Sequence, residues 1–261
     1  MDLLADCFYI THKKSTFAGK ITNLMSRDIF GSALIDFHNG NYSEDIVTYS
    51  SLGDKDTIPL PYLFRKYNAM PIIEQKALDL CRGTVLDAGC GAGSHSLYLQ
   101  SKGLNVTALD NSEGAVITSK SRGVYNVIHS DIYHYSGTKF DTILLLMNGI
   151  GLAGQLNELS RLLMHLKVLL KPGGQILLDS SDIIYMFDED EDGGYWVPDN
   201  GKYYGEVEFT LEYKRLKSDP FYWLYVDYKS LEQVAGQQNL SCELVYEGTH
   251  YDYLARLCAQ P

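Results

Sequence analysis

Val85-Leu86-Asp87-Ala88-Gly89-Cys90-Gly91-Ala92-Gly93-Ser94 decides how this chain of 261 residues is read. A short apolar run ends in an acid, three alternating glycines follow, and a helical pattern starts directly after them. Without a Cβ, glycine lets the backbone turn sharply and lets a ligand approach the main chain closely. The surrounding elements alternate. Strands are predicted at 84–87, 104–109, 126–129, 141–147 and 175–179, and helices at 94–102, 112–121 and 155–170. The last helix is the clearest, because Leu156, Leu159, Leu163, Leu166 and Leu170 fall on one stripe. The 141–147 run is continuously apolar, as suits a strand covered on both faces. Strands alternating with helices imply a parallel sheet, and right-handed crossovers make it doubly wound. Ligands bind such sheets at the carboxyl ends of the strands, where the glycine loop lies.

The flanks are less regular. Residues 1–80 form a mixed N-terminal segment, expected to cap a main domain at 81–261. Its last part, 61–81, reads as one helix stopped by Gly83. Residues 183–228 break the alternation. The acidic run 188–192 leads into tyrosine-rich, β-like stretches at 203–214 and 221–228, with a turn signal at Ser218-Asp219-Pro220. A hairpin inserted as a lid is expected there. Ser230-Leu231-Glu232-Gln233 has capping-box spacing and opens a short helix. Strands at 243–247 and 251–257 close the chain as an antiparallel pair at the far side of the sheet. The expected fold is therefore α/β: a doubly wound, seven-stranded, mostly parallel sheet with helices on both faces, an N-terminal helical cap and an inserted β-hairpin lid.

Composition narrows the function. The net charge of −11 repels phosphate backbones and anionic membrane surfaces, so neither DNA nor a membrane is an expected partner. The start, Met1-Asp2-Leu3-Leu4-Ala5-Asp6, lacks the basic-then-apolar plan of a secretory leader. Cys7, Cys81, Cys90, Cys242 and Cys258 are odd in number and contain no CxxC pair, and the histidines show no ligand spacing. A reducing cytoplasm and no metal are expected. The C-terminal strands could pair across a homodimer; the sequence leaves the oligomeric state open.

The glycine spacing speaks against a dinucleotide. That fingerprint needs its third glycine one residue later, where Ser94 stands. A carboxylate at Asp87 also suits a ligand bearing positive charge or hydroxyls better than a pyrophosphate.

The D-x-G-x-G-x-G loop between strand and helix resembles the first motif of the class I (Rossmann-like) S-adenosylmethionine-dependent methyltransferases. The likeness extends, in order, over roughly residues 80–182. Asp110 ends the second strand, where the family's acid accepts from the ribose hydroxyls. Ser130-Asp131-Ile132 follows the third, where an acid meets the adenine amino group and the next residue packs on the ring. Residues 140–148 match the fourth strand, whose end lies beside the transferable methyl. Leu169-Leu170-Lys171-Pro172-Gly173-Gly174 matches the turn into the fifth.

The resemblance implies S-adenosylmethionine as cofactor and S-adenosylhomocysteine as product. It implies cofactor contacts from Asp87, Ala88, Gly89, Cys90, Gly91, Gly93, Asp110, Asn111, Asp131, Ile132 and Met147. Small-molecule members have an N-terminal helix over the cofactor, which would bring Arg65, beside Tyr62 and Tyr67, to its carboxylate. Methyl transfer is an in-line displacement, so the protein's main work is alignment. Asn148 and Gly149 follow the fourth strand at the open edge and are the candidates for positioning the acceptor; a turn-capping amide is the other reading of Asn148. Nucleic-acid amino-methyltransferases carry a Pro-Pro-aromatic motif after that position, whereas here Gly149-Ile150-Gly151 follows. Asp179 and Asp182 lack the adjacent Asp-Asn pair of the metal-dependent members. His95 either touches the methionine end of the cofactor or packs on its own turn. Tyr195, Trp196, Tyr203, Tyr204, Tyr213, Tyr222, Trp223, Tyr225 and Tyr228 either line a lid over the acceptor or are ordinary β-residues. Cap and lid together favour a small-molecule acceptor. The alternatives are a protein or RNA methyltransferase, a non-catalytic S-adenosylmethionine-binding protein, and a nicotinamide-dependent oxidoreductase.

Overall fold

The computed structural model describes residues 28–197 and 201–259. The expectations placed on residues 1–6 and on Cys7 lie outside them.

Five parallel strands form the centre: β3 (Thr84–Ala88), β4 (Asn105–Asp110), β5 (Val127–His129), β6 (Phe140–Leu145) and β7 (Leu170–Ser181). Two antiparallel strands, β11 (Leu240–Glu247) and β12 (Asp252–Ala259), complete a seven-stranded sheet in the order β11-β12-β7-β6-β3-β4-β5. β12 inserts between β7 and β11 of its own chain.

Side chains that alternate along the strands feed two cores. Ile143, Leu145, Ile176 and Leu178 meet Leu159, Leu162, Leu163 and Leu166 of α6 (Leu156–Val168), and Leu231 and Ala235 of α7 (Tyr228–Gln237). Leu144 and Leu177 point the other way, into a cluster with Ile73, Ala77 and Leu78 of α3 (Ile72–Leu80) and Leu99 of α4 (Ser94–Ser101). Each such leucine contributes about 1.5–3 kcal/mol by leaving water. α5 (Glu113–Ser121) starts where the Ser112 hydroxyl accepts the Ala115 N–H.

The flanks build a second sheet, in the order β10-β8-β1-β2 with β9 paired to β8. β1 (Ile46–Ser50) and β2 (Lys55–Ile58) come from the N-terminal segment; β8 (Glu206–Tyr213), β9 (Leu216–Lys217) and β10 (Phe221–Leu224) come from the insertion. Cap and insertion thus share one sheet. The N-terminal segment is not simply helical, although it also carries α1 (Ile29–His38), capped by the Asp28 carboxylate.

Three local expectations are corrected. The single helix at 61–81 is broken into α2 (Leu60–Leu63), a 3-10 turn at Tyr67–Ala69, and α3. Pro71 forces Met70 into extended backbone and ends any helix there. The hairpin turns at Lys214-Arg215, not at Ser218-Asp219-Pro220. Both turn residues have positive φ (49° and 66°), the geometry that matches strand twist. Neither is Gly or Asn, so the usual signal was missing; Asp36 holds the Lys214 ammonium at 2.7 Å. Finally, α7 is capped by Asp227, which accepts the Ser230 N–H at 3.0 Å; Ser230 itself lies inside the helix.

Candidate active site

A cavity of about 1790 Å³ runs from the carboxyl ends of β3, β4 and β6 to one face of the second sheet. Single-ligand pockets measure roughly 300–1,000 Å³, so it has room for two molecules. Ala88, Gly89, Cys90, Gly91, Asp110, Asn111, Asp131 and Ile132 line one end, Met147, Asn148, Gly149 and Arg65 the middle.

Two expected contact residues do not line it. Asp87 is buried behind the loop, where it accepts the Ser96 hydroxyl at 2.5 Å. Gly93 caps α4 in left-handed backbone (φ 79°), and a Cβ there would press on Ser119 and Val124 of the next helix layer. Its glycine is demanded by packing.

Asp110 organises the glycine loop. One carboxylate oxygen accepts the Gly91 N–H at 2.8 Å and the other the Ser112 N–H at 2.9 Å. Asp28 sits beside this group, joined to Ser112 and to the Gly114 N–H at 2.9 Å, and thereby ties α1 over the same end of the cavity. The Asn111 carbonyl accepts from His129 at 2.9 Å, and Asp131 caps the turn at Ile132–His134.

The end of β6 is strained and clamped. Met147 (φ 62°) and Asn148 (φ 55°) are consecutive left-handed residues, neither of them glycine. Every polar group of Asn148 is engaged. Its N–H donates to Asp179 at 2.8 Å and its amide nitrogen to the Leu224 carbonyl at 3.1 Å. Its amide oxygen accepts the Ser180 hydroxyl at 2.9 Å, and its carbonyl accepts Trp223 Nε1 at 3.1 Å. These bonds hold the backbone in an otherwise unfavourable conformation.

Beneath this loop lies a charge network that no local pattern announced. Glu74 of α3 is buried between Arg65 and His95, bonded to the guanidinium and, at 2.9 Å, to His95 Nε2. Burial pushes the Glu74 carboxyl up, but the His95 bond and the charges of His95 and Arg65 outweigh it and hold it below the usual range. Arg65 also donates to the Tyr62 carbonyl and stacks 3.7 Å from the Tyr62 ring centre, while its Nε is buried without a partner. Asp179, at the end of β7, is pushed up to about 7 by burial and by the Glu74 charge. Burial also raises Asp87 and Asp110. The centre is rich in carboxylates that a cationic ligand would relieve.

The aromatic segment divides. Trp223 and Tyr225 line the cavity. Tyr203 and Tyr204 bond Asp227 and Asp182 at 2.7 and 2.8 Å, Tyr213 bonds Asp36, and Tyr222 meets Lys202. Phe209, Phe221, Tyr185 and Met186 line the cavity and were missed, because single apolar residues in a strand carry no chemical signature. Asp182 is occupied by Tyr204 and the Ile184 N–H. Among the described residues no group of three His, Cys, Asp or Glu could hold a metal ion, and no helix is long and apolar enough to cross a membrane.

The family model for a methyltransferase domain matches residues 85–174. A S-adenosylmethionine-dependent methyltransferase from Bacteroides fragilis, solved in complex with S-adenosyl-L-homocysteine, is 41% identical, with 90% of this chain and 96% of that chain covered and a TM-score of 0.84. DesVI of Streptomyces venezuelae (19% identity, 77% and 96% covered, TM-score 0.53) shares the fold. So does the sugar N-methyltransferase KedS8 of a Streptoalloteichus species (13%, 72% and 85%, 0.51). No curated protein matches the chain. The seven-stranded, mostly parallel sheet with a glycine loop at its strand ends is the fold of the class I methyltransferases. This chain belongs to the S-adenosylmethionine-dependent methyltransferases.

Proposed function

We propose that the protein transfers a methyl group from S-adenosylmethionine to a small-molecule acceptor enclosed between the two sheets. The observation that carries this reading is the single cavity joining the glycine loop to the second sheet. The residues present fit the cofactor. Gly89 and Gly91 are left-handed (φ 79° and 52°) and present bare backbone to the cavity, and the excess of buried carboxylates suits a cation. Gly89, Cys90, Gly91 and Asn111 would hold the nucleoside by backbone and shape, Asp110 its ribose, and Asp131 and Ile132 its base. The unpartnered Nε of Arg65 is a donor for the amino-acid carboxylate. When bound, the cofactor would supply an electrophilic methyl carbon whose leaving group is the sulfonium sulfur.

The chain's own part is alignment and exclusion of water. Met147 to Gly149 form the shelf beside the reacting centre. Because the amide of Asn148 is consumed by Ser180 and Leu224, we assign it to holding that shelf rigid, with Met147 and Gly149 presenting the surface that the acceptor meets. Asp87 braces the loop from behind through its bond to the Ser96 hydroxyl.

The test is incubation with methyl-labelled S-adenosylmethionine and a cell extract separated by size. Label in a low-mass product chromatographically distinct from S-adenosylmethionine, and absent without the protein, is expected. Label confined to protein or RNA would overturn the small-molecule reading.

A further inference from the structure

Resting on that reading, we infer that the acceptor is a planar, aromatic or conjugated small molecule bearing a hydroxyl or amine, and that the second sheet is its recognition wall. Phe209 lies opposite Phe221, and Val207 opposite Trp223, in the register of β8 and β10. Alternation along each strand puts all four on one face, the face that lines the cavity. Phe209 and Phe221 have ring centres 6.3 Å apart at 32°, and Tyr225 lies 6.3 Å from Phe209. The edge of Trp223 meets Phe221 at 6.3 Å and 86°. Four rings therefore make one continuous surface.

That surface is fixed relative to the chemistry. Trp223 is bonded to the Asn148 carbonyl, one residue from Met147 on the methyl shelf. An acceptor lying on the rings is thus held at a set distance from the shelf. At the mouth, Tyr185 and Met186 stand 51% and 41% exposed, an apolar rim of the kind that a ligand covers.

The chemistry of the wall selects against a sugar. Ser50, on the neighbouring strand, already accepts the N–H groups of Leu52 and Asp54. Charged side chains enter this wall at its outer edge, from β2 and the turn before it, where Asp54, Lys55 and Asp56 are exposed. A polyhydroxylated ring laid on Phe209 and Phe221 would lose water from its hydroxyls and find few partners. A flat π-system gains offset or edge contacts on the same surface, and only its one nucleophilic substituent must reach the shelf.

The experiment is calorimetric titration of the full chain saturated with S-adenosylhomocysteine, using 2-naphthol and D-glucosamine as probes. The expected result is naphthol binding at least tenfold tighter than glucosamine. Phe209→Ala and Phe221→Ala should each weaken naphthol by about fivefold or more while S-adenosylhomocysteine affinity stays within twofold of wild type. Phe209→Leu and Phe221→Leu keep the apolar volume and guard against a folding defect; they should weaken naphthol by a smaller factor in the same direction. Tighter binding of glucosamine would overturn the aromatic class and leave the small-molecule reading intact. Naphthol binding indifferent to all four substitutions would overturn the wall. Label found only in macromolecules, in the extract experiment above, would overturn both.

Discussion

The indole Nε1 of Trp223 donates to the backbone carbonyl of Asn148 at 3.1 Å, and this bond fastens the second sheet to the loop that ends β6. The approach is possible because residue 151 is glycine: a Cβ there would overlap the Trp223 ring. Gly151→Ala should therefore expel the indole. Overpacking of this kind costs about 1–3 kcal/mol. A lower melting temperature and a red-shifted tryptophan emission are expected, with S-adenosylhomocysteine affinity unchanged in calorimetry. Unaltered emission would mean that the indole does not sit where the bond puts it.

Asn148 combines left-handed backbone with four hydrogen bonds. Two substitutions separate these contributions. Asn148→Gly removes the amide but accepts the backbone; Asn148→Ala removes the amide and adds a steric penalty of about 1–2 kcal/mol. Chemical denaturation should find both less stable than wild type, with Ala the worse by about 1 kcal/mol. The reverse order would show that strain is not stored at this position.

Asp110 bonds the backbone N–H groups of Gly91 and Ser112 and lines the cavity. Hydrogen bonds to a charged group are worth about 1.5–3 kcal/mol. Asp110→Ala should weaken S-adenosylhomocysteine by about tenfold or more in calorimetry, with NAD binding to neither protein. Wild-type affinity in the variant would remove Asp110 from the cofactor site.

Asp179 makes stability depend on pH. Its carboxyl titrates at about 7 in the folded chain against 3.8 ordinarily. Between these values the native state holds more protons than the unfolded one, so stability falls as pH rises through this range. Above about 7 the charge is buried and its cost is fully present. Asp179→Asn should stabilise the protein at pH 8, by up to about 4 kcal/mol for a shift near three units, and change little at pH 4. Equal changes at both pH values, in denaturation curves, would refute the assignment.

The sequence by itself determined the central sheet. The leucine stripe of α6, the glycines after β3 and the acid at the end of β4 are local patterns, set by helical period, backbone freedom and strand ends, and each is readable within one predicted element and its ends. The ends of those strands also carried most of the residues that line the glycine-loop end of the cavity, because a parallel sheet gathers its loops on one edge. What tertiary structure alone decided is the rest of the cavity. Tyr49 and Glu212 are 163 residues apart and bond at 2.9 Å across the second sheet. No periodicity within β1 or β8 specifies that partnership, which is fixed by long-range register. For the same reason Phe209 and Phe221 became legible as a wall only once paired. Arg65, Glu74 and His95, from three separate segments, became a network only when α3 and α4 packed together. Asp87, expected at the ligand, is buried where it accepts the Ser96 hydroxyl of α4, a contact that no pattern within β3 specifies. Local sequence fixes elements and their ends; which faces meet depends on packing between segments that the chain order keeps apart.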